Sequence, residues 1–412
     1  MIERDGQGRD LRWLVVPRVG SLAETGDVWE PYRLLDPTGE VVEPVAVYMR
    51  DLQAIGRPAT TQRSYGMDLL RWFRFLWAIE IPWDQATRDE ARDFSRWIQI
   101  SDKPGRTGAM VAAKGPNPVT GKTGPARTYA SATRGHSESV LRGFYDFHRD
   151  AGSGPMVDPF PLARRGARAH AHHNPMDLYR NERTGLYRPR HVQRVPRSIP
   201  DEKFNELFAQ LGSHRDRALV AFWVSSGARA SELLGAQYGD ADPGQQLITV
   251  VRKGTRAIQQ VPASPDAFVW LRLYQAQMHG LVPAGGDDPL WWTLRRPFRQ
   301  LAYHAAYRMF RRANAALGAN WSLHDLRHTA AYRMARDPDM PITDVQWVLG
   351  HAHLSTTQLY LNPLPEDVIA GVLAHHARRA AGVSPATGTA GISSAVSYRP
   401  EALNVLFGEG TA

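Results

Sequence analysis

Between Arg164 and Arg197 the chain carries nine arginines and only two acidic residues, Asp177 and Glu182. A stretch of this kind does not read as part of a packed core. It divides the 412 residues into two folded regions joined by a basic linker, placed at 163–199. The plain reading of such a charge run is a solvated tether. The sharper one is a strap along a phosphate backbone, because a single-sign stretch in water gains chiefly by releasing counterions. On that reading Arg164, Arg165, Arg168, Arg188 and Arg190 are candidate phosphate contacts. His170, His172 and His173 lie in the same stretch without acidic or cysteine partners, so they do not read as a metal site.

Upstream, residues 1–44 are broken by Gly and Pro around short apolar runs such as Trp13-Leu14-Val15-Val16, and read as a strand-like extension. Helical periodicity starts near Val45 with Tyr48, Met49 and Leu52. Thr60 or Thr61 is the expected N-cap of a helix with Tyr65, Leu69, Trp72, Phe73 and Leu76 on one face. Further helices are expected from about Thr87, burying Ala91, Phe94, Trp97 and Ile98, and over 131–150. Residues 102–128 are rich in Gly, Pro and Lys and read as a long loop. Gly121-Lys122-Thr123 resembles the end of a phosphate-binding loop, but Pro116 stands where the pattern needs glycine and no strand precedes it, so no nucleotide site is expected. The whole makes a small all-helical domain over 45–162.

Downstream, helices are expected near 201–211, 214–225, 230–234, 265–279, 298–316, 322–336 and 342–349. Leu247 to Val251 and Ile258 to Val261 read as the two strands of a hairpin with Lys253 at its turn. Ser355-Thr356-Thr357-Gln358 reads as a capping box opening a short helix that bears Tyr360. A last amphipathic helix holds Val368, Ile369, Val372 and Leu373, and the Gly-, Ala-, Ser- and Thr-rich tail over 381–412 is expected to be loosely ordered. This second domain spans 200–380, and the fold class is mainly α with a small β-hairpin sheet.

Composition narrows the chemistry. The formal net charge of +9 suits a polyanionic partner. With no cysteine there is no disulfide framework, thiolate metal site or thiol nucleophile. No apolar stretch is long enough for a membrane span and Met1 to Asp5 begin no signal-peptide core, so the expectation is a cytoplasmic protein that does not engage membrane.

One set of residues is suited to attacking a phosphodiester. Arg229 follows Gly227-Ala228, and Glu232, three residues on, can hold its guanidinium. Lys253 lies in Val251-Arg252-Lys253-Gly254-Thr255-Arg256, where Arg252 and Arg256 are rival phosphate contacts. His324 and Arg327 share one face at the start of a helix. His351 follows Leu349-Gly350, and Tyr360 comes nine residues later. Arginines can grip phosphate oxygens and a tyrosine can carry a broken strand covalently. Each residue alone has a duller reading: a solvated arginine, a structural histidine, a core aromatic. Asp325 is read as orienting the helix start and His328 as packing.

In order and spacing these boxes resemble the tyrosine recombinase (phage-integrase) family over about 45–375, loosely in the helical domain and closely over 225–262 and 321–361. Ala228 and Ala230 are smaller than the family's usual occupants. The resemblance implies a SAM-like core-binding domain and a catalytic domain closing as a C-shaped clamp on double-stranded DNA. It implies Tyr360 as nucleophile forming a 3′-phosphotyrosine. Arg229 and Arg327 would stabilise the phosphate, Lys253 would protonate the leaving 5′-oxygen, His324 would assist proton transfer and His351 would hydrogen-bond the phosphate. It further implies site-specific recombination of a mobile element without metal or other cofactor. The protein would be a monomer in solution and a homotetramer on DNA, in places aided by DNA-bending proteins. A type IB topoisomerase-like enzyme, a telomere resolvase and a catalytically silent DNA-binding regulator are the alternatives.

Overall fold

Ahead of the first long helix lies a two-stranded antiparallel ribbon, β1 (Ser21–Glu24) and β2 (Tyr32–Leu35), in a computed structural model that describes residues 9–103, 115–124, 126–163, 184–189, 197–361 and 365–380. The chain divides into two compact units, Met1–Arg194 with Arg311–Trp321, and Val195–Phe310 with Ser322–Ala412. Among the described residues the fold is mostly helical with two small antiparallel sheets.

In the first unit, α1 (Glu43–Ala54), α2 (Ala59–Ala78), α3 (Arg88–Ile100) and α4 (Ser131–Asp150) pack around an aromatic core of Trp72, Phe75, Phe94, Phe144, Tyr145 and Phe160. A buried polar thread runs from Trp72 Nε1 to Tyr145 Oη (2.9 Å) and from Tyr145 Oη to the Trp83 carbonyl (3.1 Å). Thr87 caps α3: its hydroxyl accepts from the Asp89 amide while Glu90 accepts from the Thr87 amide. By contrast α2 begins at Ala59 after Pro58 without a side-chain cap, so neither Thr60 nor Thr61 has the expected role. Proline at the entry supplies a fixed backbone and lacks an N–H to satisfy.

Both N-terminal strands lie within the segment read as a strand-like extension. Trp13 to Val16 form no strand, with Trp13 and Val15 more than four-fifths exposed. Arg74 of α2 donates to the carbonyls of Val19 and Gly20 at 2.7 and 2.8 Å, and that anchor sets where the ribbon starts. Six residues of the basic stretch, 184–189, are not a free tether. Ala163 N donates to Thr184 O (2.8 Å), Leu186 N to Pro161 O (2.9 Å) and Tyr187 Oη to Arg88 O (3.2 Å).

In the second unit, α5 (Asp201–Ala209), α6 (His214–Ser226) and α7 (Ala230–Leu234) precede a three-stranded antiparallel sheet of β3 (Ala241–Asp242), β4 (Leu247–Val251) and β5 (Ile258–Pro262) in the order β3-β4-β5. Then follow α8 (Pro265–Met278), α9 (Tyr303–Ala316), whose residues from Arg311 are counted with the first unit, α10 (Leu323–Ala335), α11 (Ile342–Leu349), α12 (Leu354–Gln358) and α13 (Pro365–Ala380). Helix α6 is buried on nearly every side and packs on α8 and α10. Its apolar residues and Trp291, whose indole donates to Leu233 O at 2.9 Å, form the core beneath the sheet. Helix α9 starts five residues later than expected, because Thr293 N bonds to Arg299 O (2.8 Å) and Trp292 pairs with Gln300, which closes 293–299 into a turn.

Candidate active site

Three chain reversals in the second unit bring the site together. The first is the end of α6, where Gly227 takes a left-handed backbone (φ 63°) and turns the chain into α7, whose N-terminal flank is Arg229. A Cβ on Gly227 would come within 2.7 Å of Leu349 Cδ2. The second is the β4–β5 turn with Lys253. The third is the end of α11, where Gly350 is also left-handed (φ 60°) and delivers His351. A Cβ there would approach Arg252 Nε to 2.9 Å, so both positions demand glycine for backbone and for space.

Glu232 ties the first two reversals together. Its carboxylate accepts from the Arg229 amide (3.0 Å), Arg229 Nη1 (2.7 Å), Arg252 Nη1 (3.0 Å) and the Lys253 amide (3.0 Å). Burial works to raise its pKa, but the amide bonds from Lys253 and Arg229 and the Arg229 guanidinium outweigh it and hold Glu232 at about 2.

Arg252 is not placed as the phosphate contact expected of it. It is 4% exposed, and its guanidinium donates to Glu232, to Gln259 Oε1 (2.8 Å) and to the Val348 carbonyl. Gln259 in turn donates to Trp347 O (2.9 Å), so the root of the hairpin is bonded twice to the end of α11. The period of the strand carried this signal: Ile248 and Val250 face inward, and Arg252 continues their side while Val251 and Lys253 lie on the other. Lys253 and Arg256 are exposed, and among the described residues the Lys253 ammonium has no ion-pair partner.

Arg327, on the first turns of α10, is 3% exposed and spans the first and third reversals, donating to Gly227 O and Leu349 O, both at 2.6 Å. Burial first, then the positive charge of Arg229, lowers it to about 10, which leaves it charged at neutral pH. Asp325 accepts from the Ser322 amide (2.6 Å) and hydroxyl (2.8 Å) and so fixes the helix start.

Tyr360 follows α12 rather than sitting on it, and that helix has His353 at its N-terminal flank without the expected capping box. Tyr360 is 5% exposed. Burial raises its pKa against the pull of Arg327. Its hydroxyl lies 2.7 Å from His328 Nδ1, and its ring is parallel to that of His351 with centroids 6.4 Å apart. His351 Nδ1 is 2.9 Å from Thr357 Oγ1. Burial, then Arg327 and Arg229, push His351 down to about 4, so it is neutral at physiological pH.

The structure thus gathers Arg229, Arg327, His351 and Tyr360. His324 is exposed, with its ring 4.3 Å from that of His328. The direct contact of His328 with Tyr360 went unread in the sequence, although its four-residue spacing from His324 puts both on one face of α10. Arg188 is exposed in the first unit, and Arg164, Arg165, Arg168, Arg190 and the three clustered histidines lie outside the described residues. Among the described residues no three His, Asp or Glu side chains are grouped to hold a metal, and no helix is long and apolar enough to cross a membrane.

Residues 198–366 match the Phage integrase family. The chain is 28% identical over 204 residues to the tyrosine recombinase XerD of Neisseria meningitidis serogroup B, covering 47% of this chain and 68% of that one. It is 30% identical over 183 residues to XerC of Chlamydia caviae, covering 42% and 57%. The matches thus span little more than half to two thirds of these relatives. Among solved structures, a lambda integrase dimer bound to a COC′ core site aligns with a TM-score of 0.52 at 15% identity, over 78% of this chain and 76% of that one. The Tn1549 transposon integrase in complex with circular intermediate DNA aligns at 0.53 and 13%, over 80% and 98%. At these identities the likeness is one of fold.

Proposed function

The chain belongs to the phage integrase family of tyrosine recombinases, and from that premise we propose that it recombines double-stranded DNA at specific sites through a covalent phosphotyrosine. The observation that supports this reading is that Arg327 and the His351 ring lie against Tyr360, while Arg229 acts on both Arg327 and His351.

In the proposed reaction Tyr360 attacks the scissile phosphate, forms a 3′-phosphotyrosine and releases a 5′-hydroxyl. Arg229, anchored by Glu232, and Arg327 stabilise the charge that builds on the non-bridging oxygens. Each such donor contributes roughly 2.7–4 kcal/mol where comparable donors have been removed. His351, neutral, donates to the phosphate. Lys253, solvent-facing on its turn, protonates the leaving oxygen; a lysine can give up its proton where an arginine does not. Religation to a partner strand completes the exchange.

The setting we propose is integration and excision of a mobile element by a tetramer assembled on two DNA sites in the cytoplasm. Support comes from the exposed apolar stripe of α13, Val368, Ile369, Val372 and Leu373, which suits exchange between subunits. The exposed Arg256 and Arg188 are proposed phosphate contacts; Arg252 is proposed to position the hairpin.

The test is a covalent adduct. Wild type and Tyr360→Phe are incubated with supercoiled DNA carrying the ends of the element that encodes the gene, and the DNA-linked peptide is sequenced. Adduct on the Tyr360 peptide, absent in the variant, is expected. Adduct elsewhere, or recombination that survives in the variant, overturns the assignment. Tight specific binding without adduct points to a regulator.

A further inference from the structure

Among the described residues, the hydrogen-bond partner of the Tyr360 hydroxyl is His328, at 2.7 Å through Nδ1. We propose that His328 is a catalytic residue, the base that takes the phenol proton of Tyr360 as it attacks. This rests on the reading of Tyr360 as the nucleophile.

Two histidines, His328 and His351, lie against Tyr360 and a third, His324, lies against His328, and their geometry separates them. His351 presents the face of its ring to Tyr360, in a parallel arrangement, while its Nδ1 is engaged with Thr357. His324 is exposed and meets His328 edge to face at an interplanar angle of 74°. His328 puts a ring nitrogen on the phenol oxygen, within the 2.6–3.2 Å that proton abstraction needs. Half-buried on α10 one residue after Arg327, it moves with the same rigid helix that holds the phosphate-binding arginine.

The proposed step requires Nδ1 to accept from the hydroxyl, with His328 neutral before attack. Three charged or titratable groups bear on this pair: Arg327 favours the phenolate, His351 and His328 feel each other, and His324 lies against His328. In the step itself the Oη–phosphorus bond forms and the phosphorus–O5′ bond breaks. The phenol proton passes to His328 Nδ1, and the Lys253 ammonium supplies the proton of the 5′-hydroxyl. Religation runs both transfers backwards. Base and acid then act at opposite ends of the reacting phosphate, which makes them separable by experiment.

The test uses single-turnover cleavage of a nicked duplex from the element's end, from which the released 5′ fragment diffuses away. His328→Asn retains an acceptor near the position of Nδ1 but has no basic nitrogen. Its cleavage rate constant is expected to fall about 100-fold or more, with DNA affinity unchanged by gel shift. A misfolded fraction lowers the amplitude of the burst and not its rate constant, so the reading survives partial loss of folded protein. A substrate with sulfur at the 5′-bridging position has a leaving group that needs no proton. It is expected to restore Lys253→Ala and leave His328→Asn slow. Cleavage by His328→Asn at the wild-type rate overturns the proposal, and rescue of that variant by sulfur would instead place His328 at the leaving group. In both cases the adduct remains on Tyr360 and the functional reading stands. Adduct on another residue overturns both.

Discussion

Arg252 donates to Glu232 across 3.0 Å with both side chains at most 4% exposed, and that bond fastens the lysine-bearing hairpin to the helix flanked by Arg229. One carboxylate therefore sets the position of two groups that the proposed chemistry needs at different oxygens of the same phosphate.

Glu232→Ala leaves the Arg252 guanidinium buried without its counter-charge. Removing one partner of a buried pair costs about 3–5 kcal/mol, so a large fall in urea midpoint is expected. Glu232→Gln, which keeps acceptor capacity on one oxygen, is expected to lose less. Equal stability of wild type and Glu232→Ala would show that the pair is not closed in solution.

Arg252 and Arg256 separate by salt. A phosphate contact contributes about −0.9 to the slope of log affinity against log salt. Arg256→Ala is expected to flatten that slope by about this amount. Arg252→Met is expected to leave the slope unchanged and to slow cleavage, because it frees the hairpin from Val348 and Glu232. A flatter slope in Arg252→Met would return that residue to the DNA surface.

His351 makes DNA-free stability depend on pH. Its folded pKa, about 4, lies below the ordinary 6.5 of the unfolded chain. Between these values the unfolded state binds a proton that the folded state refuses, so stability falls as pH drops from 6.5 towards 4. Chemical denaturation across this window is expected to show a slope smaller by about one proton in His351→Gln. An unchanged slope would mean that the imidazole is solvated in the free protein.

The helices were legible where a single face repeats at helical spacing, as in α4, whose observed bounds Ser131–Asp150 coincide with those expected, and in α10, whose first turn carries His324 and Arg327. Boundaries set by distant contacts were not: Arg74 decides where the N-terminal ribbon starts, and a turn closed by Thr293 and Arg299 delays α9. The site residues were readable one by one as types in an order. Their partners were not, because Glu232 reaching Arg252, or Arg327 reaching the Gly227 and Leu349 carbonyls, joins positions 20 to 100 residues apart. The burial of Tyr360 is equally a property of the assembled fold.

Gly227 gives the sharpest test of how the reversals fit together. Alanine there must hold a left-handed backbone, which costs about 1–2 kcal/mol, and its methyl would sit 2.7 Å from Leu349 Cδ2. Leu349 is fully buried and its carbonyl receives Arg327, so it cannot yield without moving that arginine. Overpacking of this kind typically adds about 1–3 kcal/mol. Gly227→Ala is therefore expected to lower the denaturation midpoint and to slow adduct formation more than DNA binding. Gly254 offers the comparison, since it too is left-handed (φ 100°) but has open space around a Cβ. Gly254→Ala is expected to show the backbone cost alone. If both variants lose the same stability, the close approach of Leu349 does not constrain the loop. If Gly227→Ala loses more, the contact between the ends of α6 and α11 is what holds Arg327 in register with Arg229.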